Sequence, residues 1–75
     1  MIVKIQRPVF TPPGREPSAL VYNEDQSFYA LMPFYQCEAL FLPPLAPEGA
    51  LKVYHEAKLV GTELHIGERV AEPDW

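Results

Sequence analysis

Two side chains late in this sequence are of the types that general acid–base chemistry uses: an imidazole at His55 and a carboxylate at Glu68. A carboxylate beside an imidazole can orient it and share its proton, which is the arrangement of a general base. Whether the two meet depends on the chain between them. Residues 51–60 and 63–70 flank the dipeptide Gly61-Thr62. Glycine followed by another residue is the signature of a two-residue type II′ hairpin loop, whose first position needs a positive φ. That loop pairs Val60 with Glu63, Leu59 with Leu64 and Ala57 with Ile66. Continued inward, it sets His55 opposite Glu68 and Val53 opposite Val70. One face then carries Leu51, Val53, Ala57, Leu59, Leu64, Ile66 and Val70, with His55 and Glu68 among them. The other carries Lys52, Tyr54, Glu56, Lys58, His65 and Arg69. A three-residue loop would set apolar against charged positions, so the two-residue register is preferred.

A pair is not yet a site. No nucleophile, oxyanion donor or glycine-rich turn converges on His55 and Glu68 in the sequence. The plainer expectation is a cross-strand ion pair at the rim of the sheet, contributing about 0.2–1 kcal/mol. His65 falls on the opposite face from His55, so the two cannot share a metal with Cys37 or a carboxylate within one chain. No metal and no other cofactor is expected. Cys37 lies in an apolar stretch without a cationic cluster and reads as a buried, inert thiol. Tyr54 and Arg69 share a position in the expected register, which suits a cation–π contact. Pro44-Leu45-Ala46-Pro47 has the spacing of a proline-rich ligand, but no arginine flanks it, and loops closed by prolines produce that spacing by chance.

Composition narrows the partners. The 75 residues carry six basic and ten acidic side chains, a net charge of −4, and no two basic residues are adjacent. Such a surface lacks the clustered basic footprint of nucleic-acid binding, and the same lack argues against an anionic membrane surface. The acidic residues are dispersed, so mimicry of an acidic ligand is a weak third reading. A single cysteine allows no internal disulfide, and no apolar run approaches the length of a signal peptide core or a membrane span. A cytoplasmic protein is expected.

The elements that must position these residues are short. One domain over residues 1–75 is expected, mainly β and at most a β-rich α+β arrangement. Val3 and Ile5 alternate with Lys4 and Gln6, a first strand that Pro8 ends. Residues 11–18 are a loop by every breaker signal. Two β-prone runs, 19–22 and 27–32, flank Asn23-Glu24-Asp25-Gln26, a hairpin that places Tyr22 near Ser27 and Val21 near Phe28. Residues 34–42 favour a short helix, because Phe34, Cys37 and Phe41 then share one face while Gln36 and Glu38 point away. Pro33 before it and Pro43-Pro44 after it suit the start and the stop. A second proline-rich loop follows over residues 43–49. Trp75 is expected to fold back onto the sheet. About five strands and one short helix fit a small antiparallel sheet or an SH3-like half-barrel.

The clearest functional signal is one of distribution. From Phe28 to Leu42 only Glu38 is charged. On the second strand of the first hairpin both faces are apolar: Phe28, Ala30 and Met32 on one, Tyr29 and Leu31 on the other. A domain this small has one core and covers one sheet face well. Phe28, Tyr29, Leu31, Met32, Phe34, Tyr35 and Phe41 are therefore candidates for a contact surface. The expected function is a non-catalytic protein-binding or self-associating module, with an unidentified protein or a second copy as partner. The alternative is a small ligand-binding protein or enzyme around His55 and Glu68. The opening Val3-Lys4-Ile5-Gln6-Arg7-Pro8, the run from Val60 to Val70 and the closing Pro73-Asp74-Trp75 resemble short bacterial proteins of unassigned function. That resemblance implies a compact single-domain product and carries no catalytic residues.

Overall fold

A computed structural model of the chain describes residues 1–74. Strand β1 is Ile2–Gln6, β2 Ser18–Asn23, β3 Tyr29–Pro33, β4 Lys52–Val60 and β5 Glu63–Arg69. Helix α1 covers Phe34–Cys37 and runs into a 3₁₀ turn over Glu38–Phe41. All pairings are antiparallel, in the spatial order β3-β2-β1-β4-β5, and the sheet curls into a half-barrel with one short helical segment, as expected.

β1 holds the centre because its alternation matches both neighbours at once. Ile5 lies between Val21 and Val53, and Val3 between Asn23 and His55. Val3, Ile5, Val21 and Val53 are buried on the inner face. The chain leaving β3 crosses that face as the helical segment. Cys37 and Phe41 are buried there and Phe34 is half-buried, whereas Gln36 and Glu38 are exposed. A strand over the same residues would have sent these apolar side chains to both faces. The Arg7 guanidinium closes one end of this core, 5.4 Å from the centres of both the Phe34 and Phe41 rings.

The first hairpin keeps the expected faces in a different register. Tyr22 pairs with Tyr29 and Val21 with Ala30, two residues along from the expected partners Ser27 and Phe28. The cause is Asn23. Its Oδ1 accepts from the Phe28 amide at 3.0 Å and its Nδ2 donates to the Ser27 hydroxyl at 2.8 Å. Asp25 Oδ1 accepts the Ser27 amide at 3.0 Å, which holds its carboxyl below the ordinary value. These local side-chain bonds close the loop one pair later than the β-prone run suggests. A slip of two residues preserves every face.

The second hairpin follows the expected register from Val60–Glu63 to Ala57–Ile66, with Gly61 at φ 62°. Then β5 bulges: Gly67 and Glu68 together oppose Glu56, and the next pair is His55 with Arg69. The expected pairing of His55 with Glu68 is thereby overturned, and so is that of Tyr54 with Arg69. A bulge sets two residues of one strand against one of the other, which shifts everything beyond it by one. No helix among the described residues is long and apolar enough to cross a membrane. The expected packing of Trp75 lies outside the described residues.

Candidate contact surface

His55 is only 2% exposed, the one buried ionisable side chain besides Cys37 and Tyr54 among the described residues. Its Nδ1 lies 3.0 Å from the Gly67 carbonyl oxygen. A carbonyl only accepts, so the ring carries its proton on Nδ1. The bulge gives this bond its purpose. The extra residue on β5 leaves the Gly67 carbonyl outside the regular ladder, and the imidazole supplies the donor it lacks. Nε2 is buried with no hydrogen-bond partner among the described residues. Glu68 is exposed and the register turns it away from the imidazole. Arg69 takes the position opposite His55, and its Nη1 donates to the Leu45 carbonyl at 2.7 Å, tying the proline loop to the sheet. This arrangement locks a bulge, with the His55 ring enclosed and Glu68 in solvent apart from it.

His65 lies on the outer face with Nε2 3.4 Å from Glu63 Oε2, opposite Lys58 as expected. No group of three potential metal ligands occurs among the described residues. Burial pushes the Cys37 thiol above its ordinary value. A neutral, enclosed thiol is a poor nucleophile. Labelling of the native chain by a maleimide is therefore expected to be at least tenfold slower than in denaturant. Equal rates would show that the thiol is accessible.

The outer face of the sheet divides in two. Over β4 the chain after β5 folds back. The Val70 amide donates to the Tyr54 carbonyl at 2.9 Å, Glu72 receives Lys52 Nζ at 2.9 Å, and the Tyr54 hydroxyl lies 3.5 Å from the same carboxylate oxygen. The bond from Lys52 holds the Glu72 carboxyl below its ordinary value and raises Lys52 in turn. Tyr54 is buried beneath this strap.

Over β2 and β3 the outer face is open among the described residues. Tyr29, Tyr22 and Lys4 form one row across three strands, with the two rings stacked at 6.3 Å and Lys4 Nζ 5.6 Å from the Tyr22 ring. The next row is Leu31, Leu20 and Gln6. Tyr29 is 60% exposed and Leu31 65%. The loop between β1 and β2 rises beside this row. Its Val9 and Phe10, 85% and 78% exposed, border a groove of about 520 Å³ floored by Leu20 and Leu31, with Arg7, Arg15 and Glu16 also in its wall.

Of the seven aromatic and apolar candidates, Tyr29, Leu31 and Tyr35 are exposed. Phe28, Met32 and Phe34 pack against the core and Phe41 is fully buried, so Phe41 offers no surface to a partner. The single core took the inward-facing half of the list. Val9 and Phe10 were not among the candidates. The signal was there, in two adjacent large apolar residues inside a loop bracketed by Pro8 and Pro12, where no regular element could bury them.

No protein-family model matches the chain, and neither a curated protein nor a solved structure matches it.

Proposed function

We propose that the protein is a non-catalytic association module. Its contact surface is the open part of the outer face: Tyr29 and Leu31 on β3, with Phe10 and Val9 from the neighbouring loop. The observation that carries this reading is the grouping of three large, mostly exposed apolar side chains, Val9, Phe10 and Leu31, around one groove, with exposed Tyr29 in the neighbouring row of the same face. Scattered surface apolar residues need no explanation, but a contiguous patch of aromatic and aliphatic side chains is the usual mark of a contact site. The charged residues of the groove wall, Arg7, Arg15 and Glu16, form a polar rim. A lone buried thiol at Cys37 suits a cytoplasmic setting.

The test compares the wild type with Phe10→Glu and Leu31→Glu by light scattering of the pure chain and by affinity capture. Both side chains are mostly exposed, so thermal midpoints should stay within a few degrees of wild type. The association that the wild type shows should fall at least tenfold in each variant. Variants that associate as strongly as the wild type would overturn the reading.

A further inference from the structure

We infer that the occupant of this surface is a second copy of the chain, joined edge to edge through β3 in one register centred on Ala30. The inference rests on the reading of the outer face as a contact surface, and it adds the partner and the mode of contact.

β3 is an edge strand, paired with β2 alone among the described residues. The Asn23 amide donates to the Phe28 carbonyl and the Phe34 amide to the Pro17 carbonyl. In an antiparallel ladder such bonds recur at every second residue. Residues 28, 30, 32 and 34 therefore turn their backbone groups toward β2, and Tyr29 and Leu31 turn theirs outward. These are also the two β3 residues with the most exposed side chains. Backbone and side chains of the same two residues are thus offered together, which is what addition of a strand requires.

The two edges of the sheet are unlike. β5 carries Glu63, His65, Glu68 and Arg69 and is interrupted by the bulge. Charge and bulges are the ordinary protections of an exposed edge. β3, Tyr-Ala-Leu-Met-Pro, has neither charge nor bulge; its one proline, Pro33, stands at the strand's end beyond Tyr29 and Leu31, and no residue from Ser27 to Cys37 is charged. A chain of net charge −4 meets itself here without like-charge contact.

Self-pairing also selects a register. With Ala30 opposite Ala30 of the second copy, Tyr29 pairs with Leu31 and Leu31 with Tyr29, so both outward amides and both outward carbonyls of each chain are satisfied. With Leu31 opposite itself, Tyr29 faces Pro33, which has no amide to donate. With Tyr29 opposite itself, Leu31 faces Ser27, whose amide is already held by Asp25. The Ala30-centred pairing makes one continuous sheet of two half-barrels, with Tyr29 of each copy beside Leu31 of the other on a shared outer face.

Two variants of the full chain test this. Ala30→Cys places two thiols at directly opposed positions, where the Cα separation of about 4.5 Å falls within the range a disulfide spans. Under mild oxidation a disulfide joining the two substituted positions is expected in most of the protein, identified by peptide mass. Leu31→Pro removes one outward amide and no bond to β2, a substitution that edge strands accept. Light scattering should give twice the 8.5 kDa chain mass for the wild type and the single chain mass for Leu31→Pro. A wild type that stays monomeric up to about 1 mM, or an Ala30→Cys chain that forms no such bridge, overturns the pairing. If Phe10→Glu and Leu31→Glu abolish an association in which Ala30→Cys never bridges, the strand pairing fails and the contact surface stands. If those two glutamate variants change nothing, both fail.

Discussion

Phe41→Ala is expected to leave the chain largely unfolded at 25 °C. Phe41 is the largest of the fully buried side chains, at 1% exposure, and it packs at the point where the 3₁₀ turn meets the sheet. Truncating a buried Phe to Ala destabilises by about 3–5 kcal/mol, from lost burial plus the cavity left behind. A single-core domain below about 70–80 residues rarely has more than about 3–5 kcal/mol in total. The loss is therefore of the same size as the whole. Relaxation around the site offers little relief, because Phe34 and Arg7 both lean on the Phe41 ring. Near-ultraviolet circular dichroism and amide dispersion in NMR report the outcome. Phe10→Ala is the control, since its ring is mostly in solvent and its removal should shift the midpoint by at most a few degrees. A cooperative transition in Phe41→Ala within a few degrees of the wild type would mean that the core is built elsewhere.

The comparison of Phe41 with Phe10 shows where sequence patterns carry and where they stop. The face shared by Phe34, Cys37 and Phe41 follows from helical spacing alone, and it is the face turned to the core: Cys37 and Phe41 are buried and Phe34 packs half-buried beside them. Proline before and after this segment favoured a helix over a strand at that spacing. The alternation in β1 and the glycine loop of the second hairpin are equally local, and they set the strands and most of the register. Phe10 belongs to no period. Its exposure depends on how a proline-rich loop is carried past the sheet, which is a tertiary fact.

The two register errors have a common origin. In the first hairpin, Asn23 used its side chain to satisfy the Phe28 amide, and the loop moved. In the second, the bulge at Gly67 moved Glu68 away from His55 and brought Arg69 in. Side-chain bonds to backbone and extra residues in a strand leave no trace in hydrophobic alternation. The face assignments survived the first error, because the slip was by two. They did not survive the second, because a bulge shifts by one. The candidate acid–base pair was lost to that single residue.

His55 is where the buried-lock reading and the catalytic reading part most sharply. His55→Ala is expected to destabilise by about 2–4 kcal/mol, enough to bring a domain of this size near its folding threshold. It empties a fully enclosed ring-sized volume and removes the donor to the Gly67 carbonyl. His55→Leu should differ from the wild type by less than about 1.5 kcal/mol, because it keeps most of that volume. It also removes Nε2, a buried polar atom without a partner among the described residues, whose desolvation opposes folding in the native chain. The bond to Gly67 is lost in both variants. That residue is exposed, so water can reach the carbonyl once the ring is gone. Glu68→Ala should be close to neutral, since Glu68 is in solvent and no longer faces the imidazole. Urea unfolding followed by circular dichroism separates the three. The ordering Ala far below Leu, with Leu near wild type, belongs to a histidine that fills and locks. If His55→Ala unfolds at the same urea concentration as the wild type, the ring is dispensable to the fold, and an imidazole kept beside the bulge without structural need would return His55 to the candidates for chemistry.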